Sequence, residues 1–187
     1  MGAIQVIIVM GQISSQLLED EVEELSKETL LSPNEINRLY KRFKTLDKDR
    51  KNCILLKEFL SIPELAMNPL ANRILVVFDK SQRKQLVFKE FIENLSVFSI
   101  KTPREKKLKF AFDVYDVDLD GYISKDDLFY IIKLLVGINL NDDQVASLVN
   151  QTIIDADTLD LDGKISFQEF KRSMFDVDFS SILTIEF

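Results

Sequence analysis

The chain has 187 residues, of which 46% are hydrophobic and 29% are charged, as in an ordinary folded globular protein. Its net charge of -7 argues against nucleic-acid binding, which needs clustered Lys and Arg, and no apolar run approaches the roughly 18 residues needed to span a membrane. There is no histidine, which excludes His-activated nucleophiles and the common zinc sites, and the single cysteine, Cys53, indicates a reducing compartment.

The N-terminal segment contains a candidate lipidation site. Gly11 follows Met10 and has Ser15 four residues later, which matches the N-myristoylation pattern, whereas Gly2 has Val6 at that place. We therefore predict lipidation of Gly11 and expect translation to start at Met10. The alternative is a start at Met1 with an apolar, disordered tail. One myristoyl chain binds membranes only marginally, so we expect a cytoplasmic protein that is partly membrane-associated.

A pattern of helix, polar loop and helix occurs four times between residues 32 and 175. In each copy an isolated branched aliphatic residue precedes an acid by four positions. The aliphatic residues are Ile54, Leu86, Ile123 and Ile165, and the acids are Glu58, Glu90, Asp127 and Glu169. The pattern predicts an all-α fold of two helix–loop–helix pairs with short β-bridges between paired loops.

The predicted domains are an extension (1–31), an N-terminal pair (32–98), a C-terminal pair (103–175) and a tail (176–187). Helix N-caps are expected at Ser32, Thr102 and Asn141, because each is followed three residues later by Glu or Gln. The linker between the pairs is short, so we expect the two lobes to pack together.

The first two loops have cations where a calcium loop needs ligands. Such a loop binds the ion through oxygens at positions 1, 3, 5, 7, 9 and 12 and favours glycine at position 6. Counting from Asp47, Lys51 is at position 5; counting from Asp79, Arg83 is at position 5 and Lys84 at position 6. A cation there repels a metal ion. We predict that neither loop binds metal and that both have a structural role.

The third loop, residues 116–127, matches a calcium loop at every position. Gly121 provides the sharp turn at position 6. The acid at position 12 is aspartate, one methylene shorter than the usual glutamate, which indicates ligation through one oxygen or a shift of preference toward Mg²⁺. The predicted ligands are Asp116, Asp118, Asp120, Tyr122 through its carbonyl, Ser124 and Asp127.

The fourth loop contains one residue more than the third. Gly163 and Glu169 mark positions 6 and 12, which leaves the uncharged Thr158 at position 1. Asp157 lies one residue earlier, so we predict an insertion and a looped backbone that brings Asp157 to the metal. The alternative is a loop that folds without holding metal well. The predicted ligands are Asp157, Asp160, Asp162, Lys164 through its carbonyl, and Glu169, so one or two Ca²⁺ ions are expected in the C-terminal half.

Fourteen phenylalanines are many for this length, and most of them are explained as core residues on helix faces. A subset of the apolar residues is predicted to line a groove for an amphipathic helix of a partner, although each one alone is also explained as core. This subset is Phe98, Phe110, Phe129, Leu134, Leu135, Met174 and Phe175.

Several separated segments resemble the calcineurin B family of EF-hand proteins. They are residues 62–70, 88–92, 107–112, 120–124 and 164–170. The resemblance implies a non-enzymatic, calcium-binding regulatory subunit of a Ser/Thr phosphatase that clamps a helix of the catalytic subunit in an apolar groove. An enzyme is not expected, because the grouped carboxylates are accounted for as metal ligands.

The same family has a second branch, the calcineurin B homologous proteins, which are cofactors of sodium/proton exchangers. Residues 17–29 and the two cationic loops are similar to that branch, whereas its long insert between the lobes is missing here. We favour the phosphatase regulator, with an exchanger cytoplasmic tail as the alternative partner. A passive calcium buffer is a third alternative, against which the two cationic loops argue.

Overall fold

A computed structural model describes residues 17–60, 67–79 and 81–177. The predicted lipidation site at Gly11, residues 62–66 of the family-like segment and residues 178–187 of the predicted tail lie outside the described residues. Within the described ranges the chain forms nine helices and four short strands, so the predicted all-α EF-hand fold is confirmed. None of these helices is long and apolar enough to cross a membrane.

The N-terminal lobe consists of five helices and one antiparallel strand pair. Its elements are α1 (Glu19–Thr29), α2 (Pro33–Leu46), β1 (Cys53–Leu55), α3 (Leu56–Phe59), α4 (Ala71–Phe78), β2 (Gln85–Val87) and α5 (Phe88–Ser96). Ile54 pairs with Leu86 at the centre of the strand pair, as the repeat predicts. Helix α1 lies in the predicted extension and packs on this lobe, because Val22 and Leu25 are apolar on one face and are buried in its core.

The C-terminal lobe has four helices and a second strand pair. Its elements are α6 (Arg104–Tyr115), β3 (Tyr122–Ile123), α7 (Lys125–Val136), α8 (Asp142–Ala156), β4 (Ile165–Ser166) and α9 (Phe167–Ser173). Ile123 pairs with Ile165, which joins the third and fourth loops side by side. The two loops therefore form one structural unit.

Two of the three predicted helix caps are present. Ser32 accepts a hydrogen bond from the N–H of Glu35 at 3.3 Å, and Asn141 accepts one from the N–H of Gln144 at 2.9 Å. The cap predicted at Thr102 is wrong. Its hydroxyl donates instead to the carbonyl of Ser96 at 2.5 Å, so it provides a hydrogen bond to the last carbonyl of α5. Helix α6 therefore begins without a side-chain cap.

Helix α6 belongs to both hydrophobic cores. Leu108 and Phe112 pack in the core of the C-terminal lobe, whereas Phe110 and Val114 pack in that of the N-terminal lobe. The Phe110 ring centroid lies 5.6 Å from that of Phe78, inside the N-terminal lobe. The lobes therefore pack together through the helix that leads into the third loop.

Candidate metal centre

All four loops have the same pair of left-handed residues at their central turn. Each has two left-handed residues, separated by one position, which are Arg50 and Asn52, Gln82 and Lys84, Leu119 and Gly121, and Leu161 and Gly163. In each loop the N–H of the second left-handed residue donates to the carboxylate of the residue that begins the loop. Those acids are Asp47, Asp79, Asp116 and Asp157, with N–O distances of 2.8, 2.9, 3.0 and 2.6 Å. The first two loops thus have the same turn and the same bond to the first acid as the last two, although each has a cation in place of the aspartate at position 5.

The third loop brings three aspartates into one cluster. Carboxylate oxygens of Asp116, Asp118 and Asp120 lie within 4.8 Å of one another. Asp116 is buried at the end of α6, while the other two are exposed. Burial raises the pKa of the Asp116 carboxyl, and the carboxylates of Asp120 and Asp127 add to the rise, although the N–H of Gly121 opposes it. The cluster concentrates negative charge that a divalent cation would offset.

Asp127 closes the third loop from the start of α7. One of its oxygens accepts a hydrogen bond from the N–H of Val117 at 3.1 Å, and the other accepts from the N–H and hydroxyl of Ser124 at 2.8 and 2.6 Å. The residue is 4% exposed. The acid predicted at position 12 therefore faces the loop, although both oxygens of its short side chain already accept hydrogen bonds from loop residues.

The fourth loop has the same arrangement around Asp157. Oxygens of Asp157, Asp160 and Asp162 lie within 4.8 Å of one another, and Asp157 ends helix α8 as Asp116 ends α6. Asp157 Oδ2 accepts from the N–H of Gly163, but its Oδ1 is buried and has no hydrogen-bond partner. An unpaired buried carboxylate oxygen is costly, so this atom is suited to bind a cation.

The inserted residue is accommodated before Asp160. Glu169 Oε1 accepts from the N–H groups of both Thr158 and Leu159, each at 3.0 Å, whereas the equivalent oxygen of Asp127, Oδ1, accepts from the N–H of Val117. Burial alone would raise the pKa of Glu169, but hydrogen bonds from Leu159, Ser166 and Thr158 outweigh it and hold the pKa at about 2. The carboxylate is therefore ionised and aimed into the loop.

A lysine connects the two loops, a contact that no sequence pattern indicated. The ammonium of Lys164 lies 2.9 Å from Oδ2 of Asp120 and 5.4 Å from the ring centroid of Tyr122. The strand register, in which Tyr122 opposes Ser166, brings the two loops into reach. The hydrogen bond from Lys164 lowers the pKa of Asp120. Position 7 is predicted to contribute only a carbonyl, so its side chain gave no signal.

The first two loops contain internal cations at the predicted places. In the first, the ammonium of Lys51 lies 3.0 Å from Asp49. In the second, the guanidinium of Arg83 donates to the Ser81 hydroxyl at 2.9 Å and to the Glu90 carboxylate. Ser81 and Glu90 occupy positions 3 and 12, so the guanidinium lies between groups that would otherwise face an ion.

The seven predicted groove residues differ in burial. Phe98 and Phe110 are buried in the core of the N-terminal lobe and contact each other at 5.4 Å between ring centroids. The half-buried members are Phe129, Leu134 and Met174, and the exposed members are Leu135 and Phe175, at 46% and 77%. The exposed members are accessible to a partner, and the groove as a whole stays a prediction.

Comparison with known proteins agrees with this geometry. A family model described as an EF-hand domain pair matches residues 105–175, the segment that holds both aspartate clusters. The fold and the clusters thus define an EF-hand calcium-binding protein.

The relatives of the whole chain identify its family. It is 49% identical over 176 residues to the calcineurin B protein of Naegleria gruberi, covering 94% of this chain and 99% of that protein. It is 45% identical over 177 residues to the calcineurin B protein of Schizosaccharomyces pombe, covering 95% and 99%, and 47% identical over 152 residues to the type 2 calcineurin B protein of Homo sapiens, covering 81% and 89%. The chain belongs to the calcineurin B family of calcium-binding regulatory subunits, which confirms the resemblance.

Proposed function

We propose that this chain is the regulatory subunit of a calcineurin-type Ser/Thr phosphatase and binds calcium in its third and fourth loops. The observation that supports it most strongly is the pair of aspartate clusters, in each of which three carboxylates approach within 4.8 Å. Like charges at that separation repel one another, and the loops keep them there through backbone hydrogen bonds.

The proposed ligands are those predicted from the sequence. For the third loop they are Asp116, Asp118, Asp120, Tyr122, Ser124 and Asp127, and for the fourth loop they are Asp157, Asp160, Asp162, Lys164 and Glu169. The unpaired Oδ1 of Asp157 supports occupancy of the fourth loop despite its inserted residue. When bound, calcium would neutralise each cluster and order the helices that flank it. The shorter Asp127 makes the third loop the one more tolerant of Mg²⁺.

The proposed partner is an amphipathic helix of the phosphatase catalytic subunit. Several large apolar side chains of the C-terminal lobe are exposed and support such a contact. They are Tyr130, Leu135, Ile138, Leu148, Ile154 and Phe175. The relatives, which carry the calcineurin B name, favour this partner over an exchanger tail. The chain is proposed to act by binding, without chemistry of its own.

Isothermal titration of the full chain with Ca²⁺ tests the metal sites. We expect two sites per chain with dissociation constants of roughly 10⁻⁷–10⁻⁵ M. Asp116→Asn and Asp157→Asn should each remove one site, because each replaces the buried carboxylate that begins a loop. Asp143→Asn, an exposed residue at the start of α8, is the matched control and should retain both. Two sites retained in both loop variants would contradict the assignment.

Partner capture is tested separately. The tagged chain is mixed with a phosphatase catalytic subunit or with an exchanger cytoplasmic tail, each with calcium and with chelator. We expect retention of the phosphatase chain, and loss of calcium-dependent retention when Asp116→Asn and Asp157→Asn are combined. Retention of the exchanger tail alone would show that the second branch of the family is the correct one.

A further inference from the structure

Arg73 is a buried arginine that extends from one lobe to the other. It lies in α4 of the N-terminal lobe and is 6% exposed, which is unusual for so polar a side chain unless its donors are satisfied. Its Nε donates to the carbonyl of Val114 at 3.2 Å. Its Nη2 donates to the carbonyls of Asp113 and Asp116 at 3.2 and 2.9 Å.

Two of these carbonyls, those of Asp113 and Val114, belong to the last turn of helix α6, and the third belongs to Asp116, which follows the helix. The final carbonyls of a helix have no partner within the helix, and a cation near them is also favoured by the helix dipole. Helix α6 ends at Tyr115, and Asp116 is its C-cap, with its N–H bonded to the Phe112 carbonyl at 2.9 Å. A side chain of the N-terminal lobe therefore completes the end of a C-terminal-lobe helix.

Asp116 is bonded on two sides as a result. Its carbonyl accepts from Arg73, while its carboxylate accepts from the N–H groups of Asp120 and Gly121 at 3.1 and 3.0 Å. Hydrogen bonds from the other lobe, as well as from its own loop, thus hold the first residue of the third loop in position. Since Phe110 is buried in the N-terminal core, α6 cannot shift without disturbing that lobe.

We propose that Arg73 is a positioning residue for the third calcium loop, and that it couples ion binding in the C-terminal lobe to the stability of the N-terminal lobe. This inference rests on the proposed binding of calcium by that loop. Coupling between two sites is reciprocal, and typical values correspond to about five- to 150-fold in affinity. We expect removal of the guanidinium to weaken binding at the third loop about tenfold.

The test uses the full chain carrying Asp157→Asn, so that titration with Ca²⁺ reports on the third loop alone. Arg73→Met keeps the length of the side chain and removes its donors, and should weaken binding about tenfold. Arg73→Lys keeps the charge but loses the fork that reaches three carbonyls, and should lie in between. Arg50→Met, an exposed residue of the same lobe, is the matched control and should bind like the parent.

A purely structural role is distinguished by amide hydrogen exchange in α4. In the parent, Ca²⁺ should increase protection of α4 amides, and this calcium-dependent gain should vanish in Arg73→Met even if that variant is less stable throughout. If Arg73→Met does not fold, the same comparison is made with Arg73→Lys, where the gain should be reduced.

Equal calcium affinity, or an equal calcium-dependent gain in protection, in the parent and the Arg73 variant would overturn the proposal. Absence of calcium binding in the unsubstituted chain would instead contradict the proposed function, and this inference with it.

Discussion

The side chain of Lys164 touches a predicted ligand of the neighbouring loop. Its ammonium is bonded to Asp120, at position 5 of the third loop, while its carbonyl is a predicted ligand of the fourth. The other oxygen of Asp120 accepts from the N–H of Tyr122 at 2.8 Å, so both oxygens are engaged. A tethered cation at a ligand carboxylate competes with a metal ion for the same charge.

We therefore expect Lys164→Gln to strengthen Ca²⁺ binding at the third loop by about two- to fivefold, in line with the strength of exposed ion pairs. Isothermal titration at low ionic strength measures this, and the gain should shrink at high salt, where screening weakens the competing contact. Lys171→Gln is the matched control, because it also removes an exposed lysine paired with an acid, Glu105, but touches no predicted ligand. An equal gain in affinity in both variants would show that the gain comes from the change in net charge and not from the contact with Asp120.

At the scale of the element, the second loop has the central turn of a calcium loop without its charge pattern. Gln82 and Lys84 are left-handed, as Leu119 and Gly121 are in the third loop, and the N–H of Lys84 reaches Asp79. The guanidinium of Arg83 connects the Ser81 hydroxyl and the Glu90 carboxylate across the loop. The guanidinium thus places a positive charge between two groups at ligand positions, and we predict that this loop keeps its shape without metal.

Replacing that cation should restore a metal site. Arg83→Asp combined with Lys84→Gly supplies a carboxylate at position 5 and a glycine at a left-handed position, with Asp79 and Glu90 already present. We expect titration with Ca²⁺ to show one site more than the parent chain.

Arg83→Met combined with Lys84→Gly is the matched control for this gain. It removes the cation and adds the glycine but supplies no ligand, so it should gain no site. If the Asp variant folds by circular dichroism and still gains none, the loop has lost more than its charge pattern.

At the scale of the whole molecule, the lobes are joined by a helix that contributes to both cores. Phe110 of α6 lies among Phe78 and Phe98 of the N-terminal lobe, with ring centroids 5.6 and 5.4 Å away, whereas Phe112 packs against Phe170 in the C-terminal lobe. Alternate residues of one helix thus face different lobes. Calcium binding at the end of this helix is therefore expected to change the stability of both lobes.

Phe110→Ala should lower the free energy of unfolding by about 3–5 kcal/mol, because it leaves a cavity at the junction of the lobes. Urea unfolding of the full chain, followed by far-UV circular dichroism, measures the loss. Phe175→Ala removes the same atoms from a side chain that is 77% exposed and should change the stability by no more than about 0.5 kcal/mol. Similar losses in the two variants would show that Phe110 does not join the lobes.

Much of the fold follows from short-range spacing. The aliphatic residue and the acid four positions later predict each helix–loop–helix unit. The strand pairs form at Ile54–Leu86 and Ile123–Ile165, as that spacing requires. The predicted cap at Thr102 is wrong because its hydroxyl meets the Ser96 carbonyl, which only the packed linker brings within reach.

The class of fold, the family, the loops with aspartate clusters and the loops with cations all follow from the amino-acid sequence, because each depends on residue types at fixed spacing within one loop or helix. The contacts between loops and between lobes follow only from the packed chain. Lys164 and Asp120 are 44 residues apart, and Arg73 and Asp116 are 43 apart. No local sequence pattern indicates which distant acceptor a basic side chain will contact. These contacts therefore form only once the two cores have packed around α6.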